Sequence, residues 1–304
     1  MKFQTSLSLV CLLLLTSCNN KVQNEFSDLS ADSEVILTER EDWVIQIIEK
    51  EWETGNCETE NQPCFEVMIN YPQFQGDNSG IVEIVNEFIQ TKVVQSISGY
   101  NFSDNDEKKK QDLDQIVQEI FIDFNQSLQD APRMIANHWT IELNGEKSSE
   151  TENTITVLLS EYSYLGGAHP NSYQTYLNFN KETGEIISLE DLVREKEIVL
   201  QIAEKRFREV YEIAPNRPLS DAGLFDNQLT LPENFAITKE GLLFFYNTYE
   251  IGPYATGTYE FIIPWEQLSG VEESRFSQSK YENQVFNLGK RQGATGNREF
   301  SCLV

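Results

Sequence analysis

Strand-like and helix-like segments come in groups along this chain, and that order limits the folds it can adopt. Two β-branched, partly alternating segments at 43–52 and 64–71 are expected to form an antiparallel pair that ends at Pro72. Two helical segments follow, and strand character returns from residue 138. Because strands and helices do not alternate singly, the pattern predicts an α+β fold with about three helices packed on antiparallel sheets.

The two helical segments carry apolar side chains at three- and four-residue steps, which is typical of a helix with one buried face. The first covers residues 81–93 and the second covers 113–128. Asp104 to Glu107 resembles a capping box before the second helix, and Pro132 is expected to end it. Both apolar stripes are interpreted as core faces without a functional role.

The later segments predict more strands, a third helix and a three-stranded meander. Ser188 to Asp191 is expected to cap a short helical turn, after a hairpin turn at 181–184. The expected strands are 138–143, 154–164, 172–179, 235–238, 242–249 and 258–263, and the third helix is expected at about 195–211.

An apolar leader indicates that the chain is exported. Lys2 supplies a positive charge, and the mostly apolar run 7–15 is shorter than the roughly 20 residues that a bilayer span needs. Leu15-Thr16-Ser17-Cys18 resembles a bacterial lipobox, in which cleavage exposes a cysteine for acylation with fatty chains such as palmitate. An ordinary secretory signal with a chance cysteine is the alternative.

This interpretation makes residues 1–17 a lipoprotein signal peptide and 18–38 a flexible tether. The lipid on Cys18 would be the only membrane anchor. The following Asn19 and Asn20 favour the outer membrane if the host has two membranes. The predicted location is therefore a membrane-anchored, extracytoplasmic lipoprotein of the cell envelope.

The net charge indicates which classes of partner are favoured, and the cysteines indicate the redox environment of the chain. A net charge of −26 disfavours nucleic acid and anionic lipid and favours cationic partners, although an acidic surface also serves solubility. Cys57 and Cys64 flank a polar turn, so export predicts a disulfide, with free thiols as the alternative. Zinc is disfavoured because no second Cys or His pair accompanies them. Residues 271–304, with Cys302, are predicted to be a disordered tail, the alternative being a docked extension.

Two loop clusters combine glycine, proline and aromatic residues. One lies between the strands expected at 154–164 and 172–179, and the other follows the strand at 242–249. Paired glycines would allow positive φ and close approach, and tyrosines at loop tips commonly anchor ligands. Turn geometry alone is the alternative explanation. The predicted ligand-binding residues are Gly166, Gly167, Ala168, His169, Pro170, Tyr249, Glu250 and Tyr254.

Catalysis is not expected. Two histidines cannot form a multi-histidine metal site, no nucleophile elbow or phosphate-binding loop is present, and no cofactor is implied. His138 is interpreted as structural. His169 near Ser163 or Ser172 could act as a general base, but the sequence pattern does not identify an acidic residue that would orient its ring. Glu250 and a second carboxylate could form the acid pair of a glycan hydrolase, but the spacing of acidic residues in the sequence does not identify the second member.

Both loop clusters, with the segment 235–247 and the closing Ile262-Ile263-Pro264-Trp265, resemble a known family. It forms the ectodomains of lysozyme-sensing bacterial anti-sigma factors and is also attached to some peptidoglycan deacetylases. The similarity covers about residues 40–268 and implies an N-terminal α+β subdomain at 39–165 and a β-rich one at 166–270.

We expect this chain to lack the sigma-binding segment and membrane-spanning helix of the sensors and the metal-binding catalytic domain of the deacetylases. The resemblance therefore implies a recognition module alone. Its partner in the sensors is lysozyme, a cationic protein. We expect a lipid-anchored binding module for such a protein, or alternatively one for peptidoglycan or another glycan, with a glycan hydrolase as the third possibility.

Overall fold

Eight strands in two sheets and four α-helices form the part of the chain that the computed structural model describes, which is 43–59, 62–101, 112–130 and 138–271. The predicted α+β class is confirmed. The leader, the acylation site at Cys18, the tether, the capping box at 104–107, Pro132 and the tail after 271 lie outside these ranges. Within them, no helix has the length and apolarity needed to cross a bilayer.

The first sheet has five strands in the order of the chain, and α1 and α2 connect its second strand to its third. The pair β2–β3 is parallel, whereas the other neighbours are antiparallel. A parallel pair needs a long crossover, which the two helices provide. The expectation of purely antiparallel sheets misses this pair. The elements are β1 (Val44–Gly55), β2 (Cys64–Gln75), α1 (Ser79–Ser98), α2 (Leu113–Asp130), β3 (His138–Glu150), β4 (Thr154–Tyr164) and β5 (Asn171–Asn180).

The helices cover one face of this sheet, as the apolar stripes predict. The α1 stripe is fully buried at its centre, with Val85 and Ile89 at 0% exposure. The ring of Phe65 on β2 lies 5.4 Å from Phe121 and 5.3 Å from Phe124, both on α2. These contacts join the crossover helices to the sheet in one hydrophobic core.

Strand β2 continues through Pro72, where the sequence predicts its end. The ladder with β3 stops at Asn70, so Pro72 has a strand partner only on the β1 side, at Ile47. Proline is tolerated at such edge-like positions because no hydrogen bond is lost. Gly145 on β3 also leaves space, since a Cβ there would lie 2.8 Å from the Pro72 ring.

The second half has its own core. The predicted capping pair is confirmed, because Asp191 N–H donates to Ser188 Oγ and Ser188 N–H donates to Asp191 Oδ2. Helix α4 packs on a three-stranded antiparallel meander through Phe207, whose ring lies 5.7 Å from that of Phe261. The elements are α3 (Leu189–Leu192), α4 (Lys196–Val210), β6 (Phe235–Ile237), β7 (Gly241–Tyr246) and β8 (Tyr259–Pro264).

Candidate functional site

The two predicted loop clusters meet in the folded chain. The ring of His169, in the β4–β5 loop, stacks on that of Tyr254, in the β7–β8 loop, with centroids 3.9 Å apart and planes 22° apart. Tyr254 O–H donates to the carbonyl oxygen of Pro170 at 3.0 Å, and His169 Nδ1–H donates to the same oxygen at 2.8 Å. One backbone carbonyl therefore ties both loops together.

Only one of the paired glycines has the backbone conformation that the sequence predicts for both. Gly166 has φ of 75°, whereas Gly167 is not among the positive-φ residues of the described chain. A Cβ on Gly167 would come no closer than 4.0 Å to the carbonyl oxygen of His169. Gly166 is thus required by the turn, while exposed Gly167 and Ala168 are not restricted in this way.

Tyr249 extends from a strained turn. Its φ is 68°, a left-handed conformation that costs an L-residue roughly 1–2 kcal/mol, and its side chain is 55% exposed. Asn247 N–H donates to Glu250 Oε2 at 2.8 Å and Glu250 N–H donates to the Asn247 carbonyl at 3.1 Å, which closes the turn. The Tyr249 ring lies 5.7 Å from that of Tyr254. A strained, exposed aromatic residue is a functional candidate.

An asparagine cluster, Asn178, Asn234 and Asn247, joins the second half to β5. Gln174 N–H donates to Asn247 Oδ1 at 2.8 Å, and Asn247 Nδ2 donates back to the Gln174 carbonyl at 3.0 Å. Asn234 makes the same kind of bridge, accepting from Tyr176 N–H and donating to the Gln174 carbonyl. Because an amide side chain both donates and accepts, it replaces a neighbouring strand along this edge.

This connection places Tyr173 of β5 beside the β7–β8 loop. Tyr173 is 53% exposed and lies opposite Glu161 in the β4–β5 ladder. Partial burial and the charges of Glu250, Glu161 and Glu233 raise the pKa of Tyr173. The charges that act on this phenol are thus all carboxylates. We call Glu161, Tyr173, Glu233, Tyr249 and Glu250 the tyrosine–carboxylate surface.

Two of these carboxyl groups are poorly solvated. Burial raises the pKa of Glu161, although Ser96 Oγ–H donates to its Oε1 at 2.8 Å and opposes the shift. Partial burial also raises the pKa of Glu250, with a further increase from Glu233, and the Asn247 N–H opposes it. A cation on this surface would relieve both the repulsion and the poor solvation.

The sequence identified Tyr249 and Glu250 but missed Tyr173, Glu161 and Glu233. Tyr173 and Glu161 lie inside predicted strands, where a polar residue is ordinary. Glu233 is one of 49 acidic residues. Only the strand register and the asparagine cluster bring them together, and neither leaves a short-range sequence pattern.

In the described part of the chain, His169 is not placed to act as a general base for Ser163 or Ser172. The described hydrogen bond of His169 goes to the Pro170 carbonyl, not to Ser163 or Ser172, and Ser163 is 2% exposed. His138, predicted to be structural, is the exposed first residue of β3, and its Nε2–H donates to Glu66 Oε2 at 2.8 Å.

The predicted disulfide is confirmed. Cys57, in the turn after β1, is bonded to Cys64, the first residue of β2, with Cα atoms 5.1 Å apart. The bond closes the β1–β2 connection, where Gly55 pairs with Cys64.

Comparisons with known proteins agree with this architecture. A crystal structure of a DUF3298 family member from Bacteroides fragilis superimposes with a TM-score of 0.61 at 19% identity, covering 76% of this chain and 94% of that one. A DUF3298 family protein from Pseudomonas aeruginosa gives 0.52 at 14% identity, covering 77% and 96%. At these identities the likeness shows the fold alone. No curated protein sequence matches the chain.

Two family models match along the sequence. Residues 58–172 match the model described as Deacetylase PdaC, and residues 190–266 match the model described as Protein of unknown function (DUF3298). His169 comes from the first match and Tyr254 from the second, so the stacked pair joins them. The chain therefore contains a PdaC deacetylase-family domain followed by a DUF3298 domain, which confirms the resemblance expected from its loop clusters.

Proposed function

We propose that this protein is an extracytoplasmic recognition module without catalytic activity that binds a cationic protein through the tyrosine–carboxylate surface. The deacetylase-family match supports a location outside the cytoplasm. The predicted leader would direct export, and the acylated Cys18 would hold the module at a membrane. The disulfide is consistent with an oxidising compartment.

The observation that carries the proposal is the grouping of three carboxylates around an exposed tyrosine. Lysine and arginine side chains bind between carboxylates and aromatic faces, because both attract a positive charge. Tyr173 and Tyr249 supply the faces, and Glu161, Glu233 and Glu250 supply the charge. The net charge of −26 would also speed the approach of a cationic partner.

The contacts of the two histidines support the proposed lack of catalytic activity. The Nδ1 of His169 donates to a backbone carbonyl and its ring stacks on Tyr254. His138 is hydrogen-bonded to Glu66. Neither described contact connects a histidine to a serine nucleophile.

Calorimetric titration of the full chain with lysozyme, as a cationic protein probe, tests the proposal. We expect saturable binding that weakens as salt rises, and a loss of about tenfold or more in the Glu233→Gln/Glu250→Gln variant. Glu240→Gln, an exposed carboxylate in the β6–β7 turn, is the matched control and should bind like the parent chain. Equal affinities for all three proteins, or no binding at low salt, would contradict the proposal.

Glycan recognition is the second candidate, and the exposed Tyr249 beside the stacked Tyr254 and His169 favours it. Sugar rings pack on exposed aromatic faces and depend little on carboxylate charge. Titration with soluble peptidoglycan fragments should then give binding that is insensitive to salt. The Tyr249→Asn variant should abolish it, whereas Glu233→Gln/Glu250→Gln should leave it intact.

A further inference from the structure

We infer that reduction of the Cys57–Cys64 disulfide opens a binding site for one thiophilic divalent cation of the Zn²⁺ type. The ligands are the two cysteine sulfurs, a carboxylate oxygen of Glu66 and Nε2 of His138. The site lies at the start of β2 and β3 and shares no residue with the tyrosine–carboxylate surface. The inference can therefore be tested independently of the proposed function.

The parallel register brings the four side chains together. Cys64 is directly opposite His138 in the β2–β3 ladder, and Glu66 is two residues further along β2, on the same face of the sheet. Glu66 Oε2 lies 2.8 Å from His138 Nε2. One ligand atom from each of Cys57, Cys64, Glu66 and His138 lies within 4.8 Å of the others.

These separations suit a tetrahedral site. Zinc bonds of about 2.3 Å to sulfur and about 2.0–2.2 Å to nitrogen and oxygen place the ligand atoms roughly 3.3–3.8 Å apart. The four donors thus need modest adjustments. The largest is the separation of the two sulfurs, and Cys57 lies in the turn after β1, outside the strand ladder.

The donor set also suits the chemistry. Thiolate, imidazole and carboxylate groups are all zinc ligands, and two thiolates, one imidazole and one carboxylate would complete a four-coordinate site. The side chain of His138 is 56% exposed and that of Glu66 is 32% exposed, so a cation in solvent can reach both ligands. Cys64 is 1% exposed, so the thiolate that it would supply is shielded from solvent.

The reaction balances with a dithiol or two monothiols as the reductant. The reductant transfers two electrons and two protons to the protein disulfide, leaving two cysteine thiols and an oxidised reductant disulfide. The cation then displaces the two thiol protons. The His138 ring proton moves from Nε2 to Nδ1, so that Nε2 presents its lone pair to the metal.

The oxidised chain cannot form this site, because the bonded sulfurs offer no thiolate. In the oxidised chain, Glu66 and His138 alone would supply only two of the four ligands. The disulfide and the metal are therefore alternative ways of closing the same β1–β2 connection, and the redox state selects between them.

Cobalt titration of the full chain in detergent tests the inference. Cys11→Ser, Cys18→Ser and Cys302→Ser leave Cys57 and Cys64 as the only thiols. After reduction with a phosphine, we expect one Co²⁺ per chain, with thiolate charge-transfer absorption and the intense visible bands of tetrahedral cobalt. Zn²⁺ should displace it, and the oxidised chain should show neither signal.

Ligand variants decide whether Glu66 and His138 take part. In the same background, Glu66→Gln and His138→Gln should each weaken Co²⁺ binding by about tenfold or more. Glu51→Gln, an exposed carboxylate on β1, is the matched control and should not change it. Unchanged affinity in both ligand variants, or six-coordinate cobalt without sulfur absorption, would overturn the inference.

Two further readouts cover the case in which reduction disturbs the fold. Bound Zn²⁺ should slow re-formation of the disulfide by oxidised glutathione in the parent chain, with little effect in His138→Gln. The reduced chain should also bind Co²⁺ more weakly in denaturing urea, because the strands position two of the ligands. A reduced chain that binds equally well in urea would overturn the inference.

Discussion

At the scale of single residues, Tyr249 shows a conflict between stability and exposure. The side chain is large and exposed, and its backbone has the φ of 68° that asparagine or glycine tolerates better. Nothing in the core requires a tyrosine here. The strain is therefore consistent with the proposed role of the ring in binding a ligand.

Replacing Tyr249 with asparagine separates these two effects. Tyr249→Asn should keep or raise the free energy of unfolding, by up to about 1 kcal/mol, because the strain is relieved. It should also weaken binding of the cationic protein or glycan ligand. Urea unfolding and calorimetric titration measure the two effects.

Glu212 offers the matched control, since it is the other positive-φ residue in the described chain that is not glycine, with φ of 53°. Glu212→Asn should relieve strain in the same way and leave ligand binding unchanged. A strongly destabilised Tyr249→Asn protein would show that the ring has a structural role.

Glu161 predicts a pH dependence with a definite sign. Burial raises its pKa above the ordinary value of 4.5, so the charged form is tolerated less well in the folded chain than in the unfolded one. The penalty is absent below that ordinary value and complete above the raised pKa. Glu161→Gln should therefore raise the free energy of unfolding at pH 8 and have little effect at pH 4.

Chemical unfolding at both pH values measures this difference. Glu240→Gln reports the effect of removing one surface charge and serves as the comparison. A Glu161→Gln protein that is less stable than the parent chain at pH 8 would show that the carboxylate is stabilised by its contacts, against the direction of its pKa shift.

At the scale of secondary structure, the asparagine cluster holds the edge of β5. Asn247 is 2% exposed and is hydrogen-bonded to both backbone groups of Gln174. Asn247→Ala leaves these groups with fewer partners, and a buried group without a partner costs about 1–3 kcal/mol. We expect a loss of about 2 kcal/mol in the free energy of unfolding.

Amide hydrogen exchange gives a more local test of the same variant. The Gln174 amide should exchange faster in Asn247→Ala, because its acceptor is the Asn247 side chain. Asn144→Ala is the control, since the hydrogen bond that Asn144 accepts from Asn70 is exposed and should contribute little. Unchanged exchange at Gln174 would mean that another group satisfies this edge.

The disulfide predicts a second effect at this scale. It closes a loop of seven residues' separation, for which chain-entropy arguments give about 2–3 kcal/mol. Cys57→Ala/Cys64→Ala should lower the free energy of unfolding by this amount. The double variant should keep the far-UV circular dichroism of the parent chain, because the five-stranded sheet has a hydrophobic core of its own.

The sequence predicts elements better than it predicts their partners. The apolar stripes of α1 and α4 are local signals. Helix α4 forms within one residue of its expected bounds, whereas α1 begins two residues before and ends five residues after its expected range. The parallel pairing of β2 with β3 depends on contacts between residues more than 60 positions apart, so no local sequence pattern predicts it. The predicted strand end at Pro72 is wrong for a related reason. A proline ends a strand only where it removes a ladder hydrogen bond, and the local sequence does not show which strands lie beside Pro72.

The candidate site divides in the same way. Gly166, His169, Pro170 and Tyr254 are predicted from unusual loop composition, and the last three of them do meet. The carboxylates join them only through the strand register and the asparagine cluster. Glu66 and His138 are equally remote in sequence, 72 residues apart, and adjacent in space.

At the scale of the whole molecule, the proposed lipid anchor makes a prediction about where the chain is found. Cys18→Ala should release the full chain from membranes into the soluble fraction, because one acylated cysteine is the proposed anchor. Membrane flotation followed by immunodetection measures this, with Cys302→Ala as the matched cysteine control that should stay bound. Equal membrane retention of the Cys18→Ala and parent chains would contradict the lipid anchor.

The shared Pro170 carbonyl has a consequence for how a ligand binds. It accepts hydrogen bonds from His169 and Tyr254 at once, so the two loops lose their freedom during folding. An incoming partner then has little ordering cost to offset. Association should resemble the docking of two preformed bodies, with a heat-capacity change no larger than the contact area requires. The proposed recognition face would thus be ordered before a partner binds.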